Sequence, residues 1–137
     1  MAIITLFIVK LSVLLLTYMA YIRKYCGPII MEINNGQIRR YCGPIIYEVK
    51  RGEFRKYCGP IIYTFNRGEI RRYCGPILMT INNGQIRNYC GPIIANFDQG
   101  IKYLRDYCGP IKYEIDGYLN DDELAALVAL IFILHEI

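Results

Sequence analysis

The chain has no Trp, one Ser (Ser12) and one His (His135). Ser12 sits inside an apolar run, and His135 lies at the far end beside Glu136. A Ser-His-acid triad therefore has no obvious members. No Gly-rich phosphate loop or metal-ligand spacing motif is present either. The one tight acidic cluster, Asp121-Asp122-Glu123, precedes an apolar stretch and reads as helix capping rather than as a carboxylate site. Charged residues make up only 20% against 54% apolar, which excludes a disordered, self-solvating chain. The expectation is a non-enzymatic protein with no catalytic residues, cofactor or metal.

What the chain does have is repetition, which is read before anything else. A Tyr-Cys-Gly-Pro corner begins at Tyr25, Tyr41, Tyr57, Tyr73, Tyr89 and Tyr107. The spacing of 16 residues widens to 18 at the last step, so the fifth unit carries a two-residue insertion. Each unit has two β-rich runs around a short Gly-containing loop, as in Ile33-Asn34-Asn35-Gly36-Gln37-Ile38. Asn-Gly between apolar residues signals a type I′ hairpin, whose two central positions need φ > 0. The implied register pairs 34 with 37, 33 with 38, 32 with 39, 31 with 40 and 30 with 41. It places Glu32 opposite Arg39 and Glu48 opposite Arg55, worth a few tenths to about 1 kcal/mol each. Ile29, Met31, Ile33 and Ile38, with Ile45, Tyr47, Val49 and Phe54, form the expected inner face. Ile30, Glu32, Gln37, Arg39 and Tyr41 form the outer one. A 16-residue parallel solenoid is the competing architecture, but it would stack Arg39, Arg55, Arg71 and Arg87 as like charges about 4.8 Å apart.

The repeats begin and end on half-units. Tyr21–Tyr25 matches only a second strand and Pro110–Ile115 only a first, so the two ends should pair. The expected fold is mainly β: a closed antiparallel barrel of six hairpin repeats, about twelve short strands, over residues 23–119. Closure removes exposed edges, and about twelve strands leave a lumen where eight would be filled by side chains. Residues 120–137 start with Asn120 and Glu123 in capping-box spacing and are apolar from Leu124 to Leu134. They are expected to form a helix filling that lumen, entering at the Asn-Gly rim, with a second membrane-embedded helix as the alternative.

Residues 1–22 are apolar apart from Lys10 and a few small polar residues. A helix over this run would be about 32 Å long, matching the ~30 Å hydrocarbon core. Lys10 costs roughly 3 kcal/mol, and each large apolar residue returns roughly 0.3–0.6 kcal/mol. No basic residue precedes the run, and Tyr18-Met19-Ala20 is no cleavage site, so a signal peptide fits poorly; a buried core helix is the other alternative. Arg23 and Lys24 follow directly. The expectation is a single-pass membrane anchor with the repeats facing the cytoplasm.

Charge is unevenly spread. Residues 23–106 hold 14 Lys/Arg against 6 Asp/Glu, and residues 107–137 hold one Lys against six acids. Lys24, Arg40, Lys56 and Arg72 fall at the far mouth of the barrel and are candidate contacts for an anionic lipid. Pairing within the protein is the plainer explanation, here with Glu136 and the terminal carboxylate. Tyr-Arg interleaving is also found in nucleic-acid binders, but the hairpin pattern accounts for it without one. The corner cysteines, Cys26, Cys42, Cys58, Cys74, Cys90 and Cys108, would sit two strands apart, about 9–10 Å. That is beyond the roughly 7 Å a disulfide spans and unsuited to tetrahedral zinc. They are expected to be small apolar thiols.

The tandem Ile-Arg-Arg-Tyr-Cys-Gly-Pro-Ile-Ile-Tyr-Glu units and the closing Ile115–Leu124 segment with its apolar tail resemble the bacterial β-flower proteins, over residues 21–137. The resemblance implies hairpin petals around a shallow barrel and brings no catalytic residues. β-flowers look distantly like the tubby C-terminal and phospholipid scramblase barrels, which enclose a hydrophobic helix and work at membranes. The functional expectation is non-catalytic binding of an anionic lipid or a membrane-protein partner at the inner membrane surface. A self-assembling structural module, as a homo-oligomer, is the alternative.

Overall fold

A computed structural model describes residues 19–137. From β2 to β11 six-residue and four-residue strands alternate, flanked by a six-residue β1 and a seven-residue β12: β1 Met19–Lys24, β2 Ile29–Asn34, β3 Gln37–Arg40, β4 Ile45–Lys50, β5 Glu53–Lys56 and β6 Ile61–Asn66. The rest are β7 Glu69–Arg72, β8 Ile77–Asn82, β9 Gln85–Asn88, β10 Ile93–Asp98, β11 Tyr103–Asp106 and β12 Ile111–Gly117, followed by helix α1, Asp121–Phe132. Each strand pairs antiparallel with its neighbours in sequence, and β1 pairs with β12 to close a twelve-strand barrel.

The hairpins have the register that the sequence implies. Asn34 faces Gln37, Ile33 faces Ile38, Glu32 faces Arg39 and Met31 faces Arg40. Asn35 and Gly36 both take positive φ, +54° and +81°, as a type I′ turn requires. An alanine Cβ at Gly36 would lie 2.3 Å from the Val49 carbonyl oxygen, because this turn packs on the end of the next hairpin. The two inserted residues go into the fifth hairpin loop, since Asp98 pairs with Tyr103 across residues 99–102.

Between hairpins the register slips by one residue. Ile38 faces Tyr47 but Arg39 faces Ile45, leaving Ile46 as a β-bulge. A one-residue slip exchanges faces. Ile29 and Ile45, expected inside, therefore share the outer face with Arg23 and Arg39. Ile30 and Ile46 pack against the core instead.

The core joins the inner faces of the strands to α1. Met31, Ile33, Ile38, Phe54, Ile70 and Ile86 are buried, and so is every residue from Ala125 to Ile131. Phe54 stacks on Tyr47 at 5.0 Å between ring centroids and packs at a tilt against Tyr63 and Phe65 at 5.9 Å. At the start of α1 the capping box forms: Asn120 Oδ1 accepts from Glu123 N (2.8 Å), and Glu123 Oε1 accepts from Asn120 N (3.1 Å). The other oxygen of buried Glu123 accepts from Gly36 N, and Asp122 accepts from Gly52 N, both at 3.0 Å. These bonds tie the start of α1 to the Asn-Gly rim. The helix ends at Phe132, short of the expected 137. The chain turns back there, with Leu134 N bonded to Ala129 O, Glu136 N to Leu130 O, and His135 at φ +53°.

The expected membrane anchor is corrected. Its last residues, Met19–Ile22, belong to β1 and are hydrogen-bonded into the wall between β2 and β12. Ala20 and Ile22 lie in the core. Among the described residues no helix is long and apolar enough to cross a membrane, and α1, at about 18 Å, is too short. A single-pass anchor with cytoplasm-facing repeats is not supported. The remainder of the expected span, residues 1–18, lies outside the described residues.

Candidate anion-binding rim

The corners joining one hairpin to the next form the rim opposite the Asn-Gly turns. Each is a tight turn: Gly27 N donates to Lys24 O, Gly43 N to Arg40 O and Gly59 N to Lys56 O, all at 2.8 Å. The left-handed position falls on cysteine, with φ between +54° and +58° at all six corners. The corner glycine needs no positive φ, but it packs closely. A Cβ at Gly43 would lie 3.3 Å from Arg40 O and 3.4 Å from Arg40 Cβ. The stem of the cation therefore rises directly beside the corner.

All six cysteines are free and exposed, not buried as small apolar thiols usually are. The six corner tyrosines are each about half exposed, from 48% for Tyr25 to 55% for Tyr73. The Tyr25 and Tyr41 phenols are pushed above their ordinary pKa by the adjacent Cys26 and Cys42, through charge and a side-chain hydrogen bond.

Lys24, Arg40, Lys56 and Arg72 occupy the first four corners and are exposed. Arg40, Lys56 and Arg72 pair with the inward-pointing Met31, Tyr47 and Tyr63, at the corner ends of their strands. The fifth and sixth corners carry Asn88 and Asp106 instead. Ion pairs among the described residues engage other cations: Arg23–Asp116 and Lys112–Asp106 at 3.0 Å, Arg55–Glu53 at 2.8 Å, Arg71–Glu69 at 3.1 Å, and Arg105–Asp98. Glu48 and Arg55 face each other as expected, yet Arg55 pairs along its own strand. No ion pair among the described residues involves the four corner cations, and residues 1–18 contain no acid.

The tail was expected to neutralise this mouth. Glu136 instead accepts a hydrogen bond from the Tyr47 hydroxyl at 2.5 Å. Burial raises the Tyr47 pKa most, and Glu136 adds to it, while Arg40 pulls the other way.

Two cavities flank the helix ends. One of about 330 Å³ lies between Asp121, Asp122 and the turns at Gly68 and Gly84. Another, about 300 Å³, has Leu104, Tyr113 and Phe132 on its walls with Arg105, Lys112 and His135. Neither brings a cysteine or serine to a base. Among the described residues, no three His, Cys, Asp or Glu side chains are placed to share a metal.

Sequence reasoning missed the tyrosine ring, although its signal, a Tyr opening every corner, was in plain view. No family model matches this chain, and neither the curated proteins nor the solved structures contain a match.

Proposed function

We propose that the corner rim is a non-catalytic docking face for an anionic lipid surface. The observation carrying this is the arc of exposed cations, Lys24, Arg40, Lys56 and Arg72, without a carboxylate partner among the described residues. An internal charge pairing would leave no such arc. Half-exposed tyrosines stand beside each cation, and Tyr is suited to the headgroup layer, with an apolar ring and a polar tip. Neighbouring corner cations are two strands apart, about 9–10 Å, so each meets its own phosphate. A surface of many headgroups suits that spacing better than one soluble anion. Each cation contributes about 1 kcal/mol near an anionic membrane, so four give modest, salt-sensitive binding. In this reading α1 fills the lumen as a rigid support, in the manner of the β-flowers that the repeats resemble.

The test is co-sedimentation with phosphatidylserine-containing vesicles. Binding should be strong at low salt, fall as salt rises, and be lost in a Lys24→Gln, Arg40→Gln, Lys56→Gln, Arg72→Gln variant. Equal binding to neutral vesicles, or no binding at low salt, overturns the proposal.

A further inference from the structure

We infer that the corner cysteines of the first four hairpins are acylation sites, taking a long-chain acyl group from a thioester carried on a phosphorylated thiol. The inference rests on what each corner gathers in a few residues. A free, exposed thiol stands at the left-handed position of the turn. Such a position disfavours any residue with a Cβ, and glycine or asparagine would hold it at lower cost. Beside the thiol lies an apolar patch: the half-exposed corner tyrosine, an exposed proline such as Pro44, and an isoleucine that the bulge turns outward, such as Ile45. Two residues before the thiol, at corners one to four, is an exposed cation without an ion-pair partner among the described residues.

Each group matches one part of such a reagent. The patch accepts the acyl chain, the cation accepts a carrier phosphate, and the thiol meets the thioester. In the transfer, the deprotonated cysteine sulfur attacks the thioester carbonyl carbon. The bond from that carbon to the carrier sulfur breaks, and the carrier leaves as a thiolate that takes up the proton the cysteine lost. Nothing is oxidised or reduced. Neighbouring corners stand too far apart for an internal disulfide to compete, at about 9–10 Å against the roughly 7 Å limit.

The molecule carries its own control. Cys90 and Cys108 are as exposed as the others in class, yet their corners hold Asn88 and Asp106 where the first four hold a cation. One cation is worth about 1 kcal/mol toward a phosphate-bearing partner, or about fivefold.

The experiment incubates the full chain with palmitoyl coenzyme A and no membrane, then maps acyl groups by peptide mass with and without hydroxylamine. Iodoacetamide labelling of a parallel sample measures plain thiol reactivity. The expected result is hydroxylamine-sensitive acylation about fivefold higher at Cys26, Cys42, Cys58 and Cys74 than at Cys90 and Cys108, with iodoacetamide labelling all six alike. Arg40→Gln should lower acylation at Cys42 and leave Cys58 and Cys74 unchanged. Equal acylation of all six, a pattern that follows iodoacetamide, or no acylation overturns the inference. Because no vesicles are present, failure here is separate from failure of lipid docking.

Discussion

The two rims of the barrel turn the chain by different means. At the hairpin rim two successive positions are left-handed: the first falls on a residue with a side chain (Asn35, Arg51, Arg67, Asn83 or Gln99), the second on glycine, and at Gly36, Gly52 and Gly68 the carbonyl of the next hairpin closes over that glycine. At the corner rim the left-handed position falls on cysteine, while the glycine beside it has an ordinary φ. One rim is fixed by steric need. The other has no position where glycine is required, and its left-handed residue is always a cysteine. The hairpin rim also receives the helix through carboxylate-to-amide bonds, whereas the corner rim receives the tail through a phenol.

The largest expected effect sets the glycines against each other. At Gly68 φ is +80°, and a Cβ would lie 2.2 Å from Ile81 O. Gly68→Ala should lower the unfolding free energy by about 3 kcal/mol, the upper range for a strained position. Gly100→Ala has no atom within 4 Å of its Cβ and should cost only about 1 kcal/mol for its φ. Gly43→Ala, at a corner, should cost about 1 kcal/mol or less, as for an ordinary surface change. Urea unfolding of the three variants checks this order, and a Gly43→Ala loss equal to that of Gly68→Ala would erase the distinction between the rims.

A smaller effect probes the phenol. The Tyr47 pKa in the folded protein lies above its ordinary 10.0. Its contribution to stability is therefore complete below pH 10, and is lost as rising pH lets the unfolded chain ionise first. The midpoint of unfolding should fall above pH 10, and Tyr47→Phe should make that fall shallower. Burial raises Tyr63 and Tyr113 as well, so part of the slope should remain. A Tyr47→Phe profile parallel to the parent would mean that the tail is not held there.

The smallest effect has the opposite sign. Cys42→Gly relieves a left-handed residue at φ +58° and should stabilise by up to about 1 kcal/mol, measured by thermal unfolding beside Cys42→Ala. A destabilised Cys42→Gly would show that the thiol has a structural task at the corner.

The barrel was legible in the sequence because its signals are local. Asn35-Gly36 fixes the hairpin register, and the half-units at Tyr21–Tyr25 and Pro110–Ile115 announce closure. Asn120 and Glu123 mark the helix start. The bulge at Ile46 was not legible: Ile45 and Ile46 are chemically alike, and only pairing across strands decides which faces in. The run through Met19–Ile22 misled for a related reason. Its apolar residues suit lipid or a protein core equally, and the choice was made by a partner strand almost a hundred residues away. At the candidate site, the strand register of Arg40, Lys56 and Arg72 was legible from the hairpin pattern. Their lack of partners was not, since it depends on where Glu53, Glu69 and Glu136 point.

The joint between β1 and β12 differs from every other in the wall. Eleven of the twelve strand pairings are backed by a covalent turn a few residues away, and this one joins Ala20 to Gly117. The ring is thus a bracelet with one clasp. The petals can zip up in any order as the chain is made, but the hoop resists unrolling only once its two ends have met.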